Sequence, residues 1–112
     1  MKRVIVLLAL VCALGVVGSA GAATSTVQVK AGEFFFKLSK SSIAKPGTVA
    51  FAVKNVGHLA HDFKIAGKKT ALIQPGKSAT LKVTFAKAGK YAYLCTVPGH
   101  ASAGMKGRFT VR

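Results

Sequence analysis

The residues of this chain that suit a soft metal ion are few and closely spaced. Cys95, His100 and Met105 follow one another as C-x4-H-x4-M in Cys95-Thr96-Val97-Pro98-Gly99-His100-Ala101-Ser102-Ala103-Gly104-Met105. Further upstream, Asn55-Val56-Gly57-His58-Leu59-Ala60-His61-Asp62-Phe63 carries two more imidazoles, His58 and His61. A thiolate, two imidazoles and a thioether form the soft donor set of a one-electron copper site, in which the methionine is a weak axial ligand. Structural zinc generally takes two or more thiolates. On residue type alone either upstream histidine completes the set. The competing assignments are a buried inert thiol, a methionine filling a core gap and histidines resting in loops. The regular spacing around Cys95 weighs against them.

Composition narrows the alternatives. The 112 residues include 17 Lys+Arg against 2 Asp+Glu, a formal net charge of +15. Such a length suits one domain rather than two. The two acidic residues, Glu33 and Asp62, are too few for paired-carboxylate hydrolysis or for a carboxylate-rich Mg²⁺ or Ca²⁺ site. A hydrophobic content of 51% argues against disorder.

Residues 1–22 read as a signal peptide. Lys2 and Arg3 precede the apolar run Val4 to Val17, and Ala20-Gly21-Ala22 supplies small residues for cleavage after Ala22 or Ala23. The run is shorter than the roughly 18–20 residues of a spanning helix. A lipoprotein site is not expected, because Val11 precedes Cys12. The expected product is an exported domain of residues 23–112, periplasmic or extracellular. It retains one thiol, Cys95, and one methionine, Met105, with 15 basic against 2 acidic residues for a net +13. A single thiol cannot close an internal disulfide, and in an oxidising compartment it calls for an occupant.

The chain between these residues alternates in short runs. Thr26 to Lys30, Phe34 to Leu38, Val49 to Val53, His61 to Ile65, Leu81 to Phe85, Lys90 to Cys95 and Gly107 to Arg112 read as strands. Pro46-Gly47, Gly67-Lys68-Lys69, Pro75-Gly76 and Ala88-Gly89 read as turns. The expected fold is all-β: a single antiparallel Greek-key β-sandwich or barrel of about seven or eight strands. The Phe34-Phe35-Phe36 run is expected to serve strand and core packing.

With this rhythm, N-x-G-x-x-x-H at Asn55 to His61 and Y-x-Y-x-C-x-x-P-G-H-x-x-x-G-M-x-G from Tyr91 to Gly107, the chain resembles the cupredoxins, the plastocyanin/azurin-like small blue copper proteins. The resemblance implies one copper ion held by His61, Cys95, His100 and Met105, and leaves His58 as an exposed bystander. It places Asp62 where the family often has Asn. There it implies that Asp62 accepts hydrogen bonds from Thr96 or its backbone, with Asn55 also supporting the site. His100, flanked by Val97, Pro98 and Ala101, is the implied electron port and docking patch. Leu94 stands where plant plastocyanins carry an aromatic residue, so a second electron route through that position is not implied.

The function expected is that of an exported carrier of single electrons cycling between Cu(I) and Cu(II). The alternative is a protein that buffers or delivers copper. An enzyme is not expected, because a second metal set and a larger substrate scaffold are lacking. The lysines are spread along the chain rather than gathered in one tract, which suits solubility and the guarding of strand edges. They also suit steering toward an acidic redox protein, such as a cytochrome or copper oxidase domain, or loose association with an anionic envelope surface. Nucleic acid is not an expected partner, and the chain is expected to be a monomer.

Overall fold

A computed structural model of the protein describes residues 24–112; the leader assigned to residues 1–22 lies outside them. Nine strands follow in chain order: β1 (Thr24–Gly32), β2 (Phe35–Leu38), β3 (Ser42–Ile43), β4 (Gly47–Asn55), β5 (Lys64–Ile65), β6 (Lys68–Lys69), β7 (Ser78–Phe85), β8 (Gly89–Leu94) and β9 (Lys106–Val111). They form two sheets, ordered β2-β1-β4-β7 and β3-β9-β8-β5-β6.

Alternation along the strands fills the space between the sheets. Val27, Val29 and Ala31 of β1, Val49, Phe51 and Val53 of β4, and Val83 and Phe85 of β7 are buried, while their neighbours turn outward. From the other sheet Ile65, Phe109 and Val111 point inward, joined by Phe63 just ahead of β5. Phe51 lies at the centre of the aromatic contacts, with ring centroids 5.2 Å from Phe63, 5.3 Å from Phe109 and 6.3 Å from Phe85. Burying one such ring contributes roughly 1.5–3 kcal/mol.

The sandwich is all-β, and two of its pairings differ from the expected antiparallel pattern. β1 runs parallel to β4, with Val27 opposite Phe51 and Val29 opposite Val53, and β3 runs parallel to β9. Alternation reveals which side of a strand is buried but not which way its neighbour runs, so the sequence left this open. The two-residue strands β3 and β6 are too short to show any period. Conversely, the run from His61 shrinks to Lys64–Ile65, and His61 itself makes one isolated bridge with Ile73.

The Phe34–Phe36 run also divides. Phe36 packs on the core against Phe63 and Tyr93. Phe34 and Phe35 are exposed, so of the core and strand packing expected of the run Phe36 supplies the core part, Phe35 belongs to strand β2, and Phe34 does neither. Phe34 sits in the β1–β2 turn, where alternation no longer applies.

Candidate metal centre

Three loops meet at one end of the sandwich. The first follows β4 and is organised by Asn55, which is fully buried. Its side-chain amide donates to the carbonyls of Leu59 (2.7 Å) and Ile73 (2.8 Å), and its Oδ1 accepts the N–H of Gly57 (2.8 Å). All three bonds span loop backbone, so Asn55 fixes the path that delivers His61. Backbone bonds between His61 and Ile73, at 3.1 and 2.7 Å, hold that residue from the other side.

The second loop runs from Cys95, one residue beyond β8, to Met105, one residue before β9. Its two ends are tied by the Cys95 N–H donating to the Met105 carbonyl at 3.1 Å. Val97 to His100 forms a turn closed at 3.0 Å, with Pro98 second and Gly99 third at φ +84°, a conformation that favours glycine. The Met105 N–H then donates to the His100 carbonyl at 3.1 Å. The chain is thereby folded back so that Cys95, His100 and Met105 are all buried.

Asp62 joins the two loops. Its Oδ1 accepts the Thr96 N–H at 2.6 Å, and its Oδ2 accepts the Thr96 hydroxyl. This is the hydrogen bonding expected of Asp62 and Thr96.

The loops bring three donor atoms into one buried triangle. His61 Nδ1 and His100 Nδ1 are 3.1 Å apart, and Cys95 Sγ lies 3.6 Å from His100 Nδ1 and 4.0 Å from His61 Nδ1. A late first-row metal bonds imidazole nitrogen at about 2.0–2.1 Å and thiolate sulfur at about 2.3 Å. Each separation is smaller than the sum of the two bonds that would span it, so one ion fits among these atoms. Burial pushes the pKa of the Cys95 thiol up, against the downward pull of the Asp62 and Val97 N–H groups. A metal ion must therefore displace its proton on binding. With only one thiolate in reach and two imidazoles, the donor chemistry suits copper over structural zinc. His58 is exposed and lies outside the triangle.

Two neighbours of the triangle were not found from the sequence. Phe34 sets its ring edge-on to His100, centroids 5.0 Å apart, leaving His100 only 8% exposed. Val97 and Ala101 are half-buried beside it, and Pro98 is exposed. Glu33 accepts the second ring nitrogen of His61 at 2.5 Å. Its carboxyl is held down to about 2, chiefly by the backbone N–H of His58 and next by the His61 ring. The one available signal was scarcity: Glu33 is one of only two acidic residues. Its placement follows from the parallel register of β1 on β4, which sets Ala31 opposite Asn55 and hence the β1–β2 turn beside the His61 loop.

A β-sandwich that closes one end over a buried imidazole–thiolate–imidazole triangle defines a small single-copper protein. The sequence profile of the copper-binding proteins of the plastocyanin/azurin type matches residues 21–112, and the chain belongs to this family. It is 25% identical to the copper-resistant cuproprotein CopI of Pseudomonas aeruginosa, over 89% of this chain and 83% of that one. A segment of 42 residues, 38% of this chain and 18% of its counterpart, is 45% identical to auracyanin-B of Chloroflexus aurantiacus. Among solved structures, dithionite-reduced auracyanin from Roseiflexus castenholzii superposes with a TM-score of 0.71. That match has 23% identity and covers 80% of this chain and 98% of the other.

Proposed function

We propose that this protein is an exported carrier of single electrons, not an enzyme, with one copper ion bound by His61, Cys95, His100 and Met105. The observation that carries the reading is the buried triangle, closed on itself by the tie from Cys95 to Met105 and built around the only thiol of the described residues. Bound copper would supply the change between Cu(I) and Cu(II). The chain's residues fix the donors in place, exclude water from them and leave the edge of His100 near the surface. His100, with Phe34, Val97, Pro98 and Ala101 around it, forms the apolar contact through which electrons would pass. The net +13 of residues 23–112 would steer the protein toward an acidic redox protein in the periplasm or outside the cell.

A second reading, copper buffering or delivery, is favoured by one observation, the likeness to copper-resistance cuproproteins along most of the chain. Spectra and kinetics separate the outcomes. The mature protein with Cu(II) should absorb intensely in the visible through thiolate-to-copper charge transfer and show the EPR signal of a type 1 site. Cys95→Ala should abolish both, and colour retained in that variant would refute the site. Rapid electron exchange with an acidic cytochrome supports the carrier; copper transfer to a metal-free acceptor without such exchange supports delivery.

A further inference from the structure

The chain has two carboxylate side chains and 17 Lys+Arg. In a protein of that balance, carboxylates would be expected to lie against lysines. Neither does so among the described residues, where the one close contact between a carboxylate and a basic side chain is Glu33 with the His61 ring. Glu33 sits in the β1–β2 turn, with its side chain 22% exposed, and reaches across to the loop after β4. There its carboxylate meets three N–H groups: Oε1 takes the His58 N–H at 2.7 Å, and Oε2 takes His61 Nε2 at 2.5 Å and the Leu59 N–H at 3.4 Å. The approach depends on Gly57, since a Cβ at that position would overlap the Glu33 carboxylate.

Imidazole has two nitrogens, and in its neutral form only one carries the proton. A histidine can bind a metal through Nδ1 only if that nitrogen offers its lone pair. We propose that Glu33 is a positioning residue for the metal centre, accepting the Nε2 proton of His61 and thereby holding the bare Nδ1 toward Cys95 and His100. This rests on the reading of His61 as a ligand. Only a group that accepts and never donates serves all three N–H groups at once. Glutamine would turn its amide N–H₂ either at the His58 N–H, leaving two donors face to face, or at His61 Nε2. In the second case it would favour the ring form whose Nδ1 carries the proton and cannot bind a metal. Aspartate would fall one methylene short. The carboxylate also braces the backbone of the His61 loop through His58 and Leu59, so the ring's orientation and its proton are set by one side chain.

The experiment uses the ¹⁵N-labelled mature protein and two variants, Glu33→Gln and Gly57→Ala. In the metal-free protein at a pH where His61 is neutral, long-range ¹H–¹⁵N correlations should show His61 protonated on Nε2. In Glu33→Gln that form should give way to a mixture or to the Nδ1–H form. Copper affinity, measured by competition with a chelator of known strength, should fall about 10–100-fold in Glu33→Gln, the range seen when partners of metal-bound histidines are removed. Gly57→Ala leaves the carboxylate in the chain but displaces it, and should lose affinity in the same way; it serves as the test if Glu33→Gln does not fold. A merely structural Glu33 would lower the thermal midpoint of the metal-free variants while leaving the His61 proton and the copper affinity unmoved. That result, or a wild-type His61 carrying its proton on Nδ1, overturns the proposal. If the wild type binds copper but exchanges no electrons, the carrier reading fails and the assignment of Glu33 stands. If His61 proves protonated on Nε2 in a protein whose copper is bound without His61, the ligand reading fails and the positioning role fails with it.

Discussion

Replacing Asp62 should separate the bridge between the two loops of the metal centre from the donor triangle itself. Asp62 is 5% exposed and accepts both the N–H of Thr96, at 2.6 Å, and its hydroxyl. A hydrogen bond to a charged group contributes roughly 1.5–3 kcal/mol, and the lower end applies to these two because Thr96 is exposed. In Asp62→Ala both bonds vanish and the Thr96 N–H loses its acceptor, so about 3 kcal/mol of stability should be lost. For a domain of this size that corresponds to a thermal midpoint lower by roughly 12–24 °C, at about 4–8 °C per kcal/mol. Asp62→Asn is the informative partner. Its Oδ1 can still take the Thr96 N–H, and its amide can donate to the Thr96 hydroxyl, which rotates to accept. Two neutral bonds then replace two charged ones, for a loss of about 1–2 kcal/mol. Urea unfolding of the metal-free mature protein, followed by circular dichroism, measures both variants. Asp62→Ala losing less than about 1 kcal/mol, or Asp62→Asn falling as far as Asp62→Ala, would refute the bridging role.

Two further outcomes follow from the geometry. His61→Ala should destroy or severely alter the visible copper spectrum, whereas His58→Ala should leave it nearly unchanged because His58 is exposed and outside the donor triangle; the reverse result would displace His61 from the site. Lys64 and Lys69 face each other across β5 and β6, with Lys68 alongside, so the double variant Lys68→Glu and Lys69→Glu should slow association with an acidic redox partner at low salt. Stopped-flow oxidation over a salt series measures this, since charges more than about 8–10 Å apart are already muted at physiological ionic strength; a rate indifferent to salt and to the reversal would leave the lysines as a solubility device.

Much of the sandwich was legible because its strands are long enough to alternate. Val27 and Val29, Val49, Phe51 and Val53, and Val83 and Phe85 carry their burial in the sequence, and the turn expected at Pro75-Gly76 forms there, whereas Gly47 already opens β4. The fold-back of the loop from Cys95 to Met105 was legible as well, because its residues are neighbours in sequence and Pro98-Gly99 marks where the chain turns. What stayed hidden depends on direction and register. Nothing in a row of alternating residues says that β1 lies parallel to β4, and without that pairing Glu33 and His61, 28 residues apart, have no reason to meet. Phe34 was misread for a related reason, since it continues an aromatic run by composition while the turn has already rotated it toward His100.

The placement of the two carboxylates also bears on what the site is for. Asp62 binds the His61 loop to the Cys95 loop, and Glu33 braces the His61 ring and the loop backbone before it. Asn55 adds three bonds that fix the same loop. These contacts meet the donor triangle only at His61 Nε2, the ring nitrogen turned away from Cys95 and His100, so none of them uses an atom that would bind the metal. A donor set held from behind in this way has little freedom to move when an electron arrives or leaves, and a small rearrangement is what fast electron exchange requires. A delivery protein has the opposite need: at least one donor must swing free for the ion to pass to an acceptor. Of the two histidine donors, His61 lies against the Glu33 carboxylate and His100 against the exposed Phe34 ring. The bracing of His61 and the tie from Cys95 to Met105 are therefore the features that suit the proposed carrier better than a protein that hands copper on.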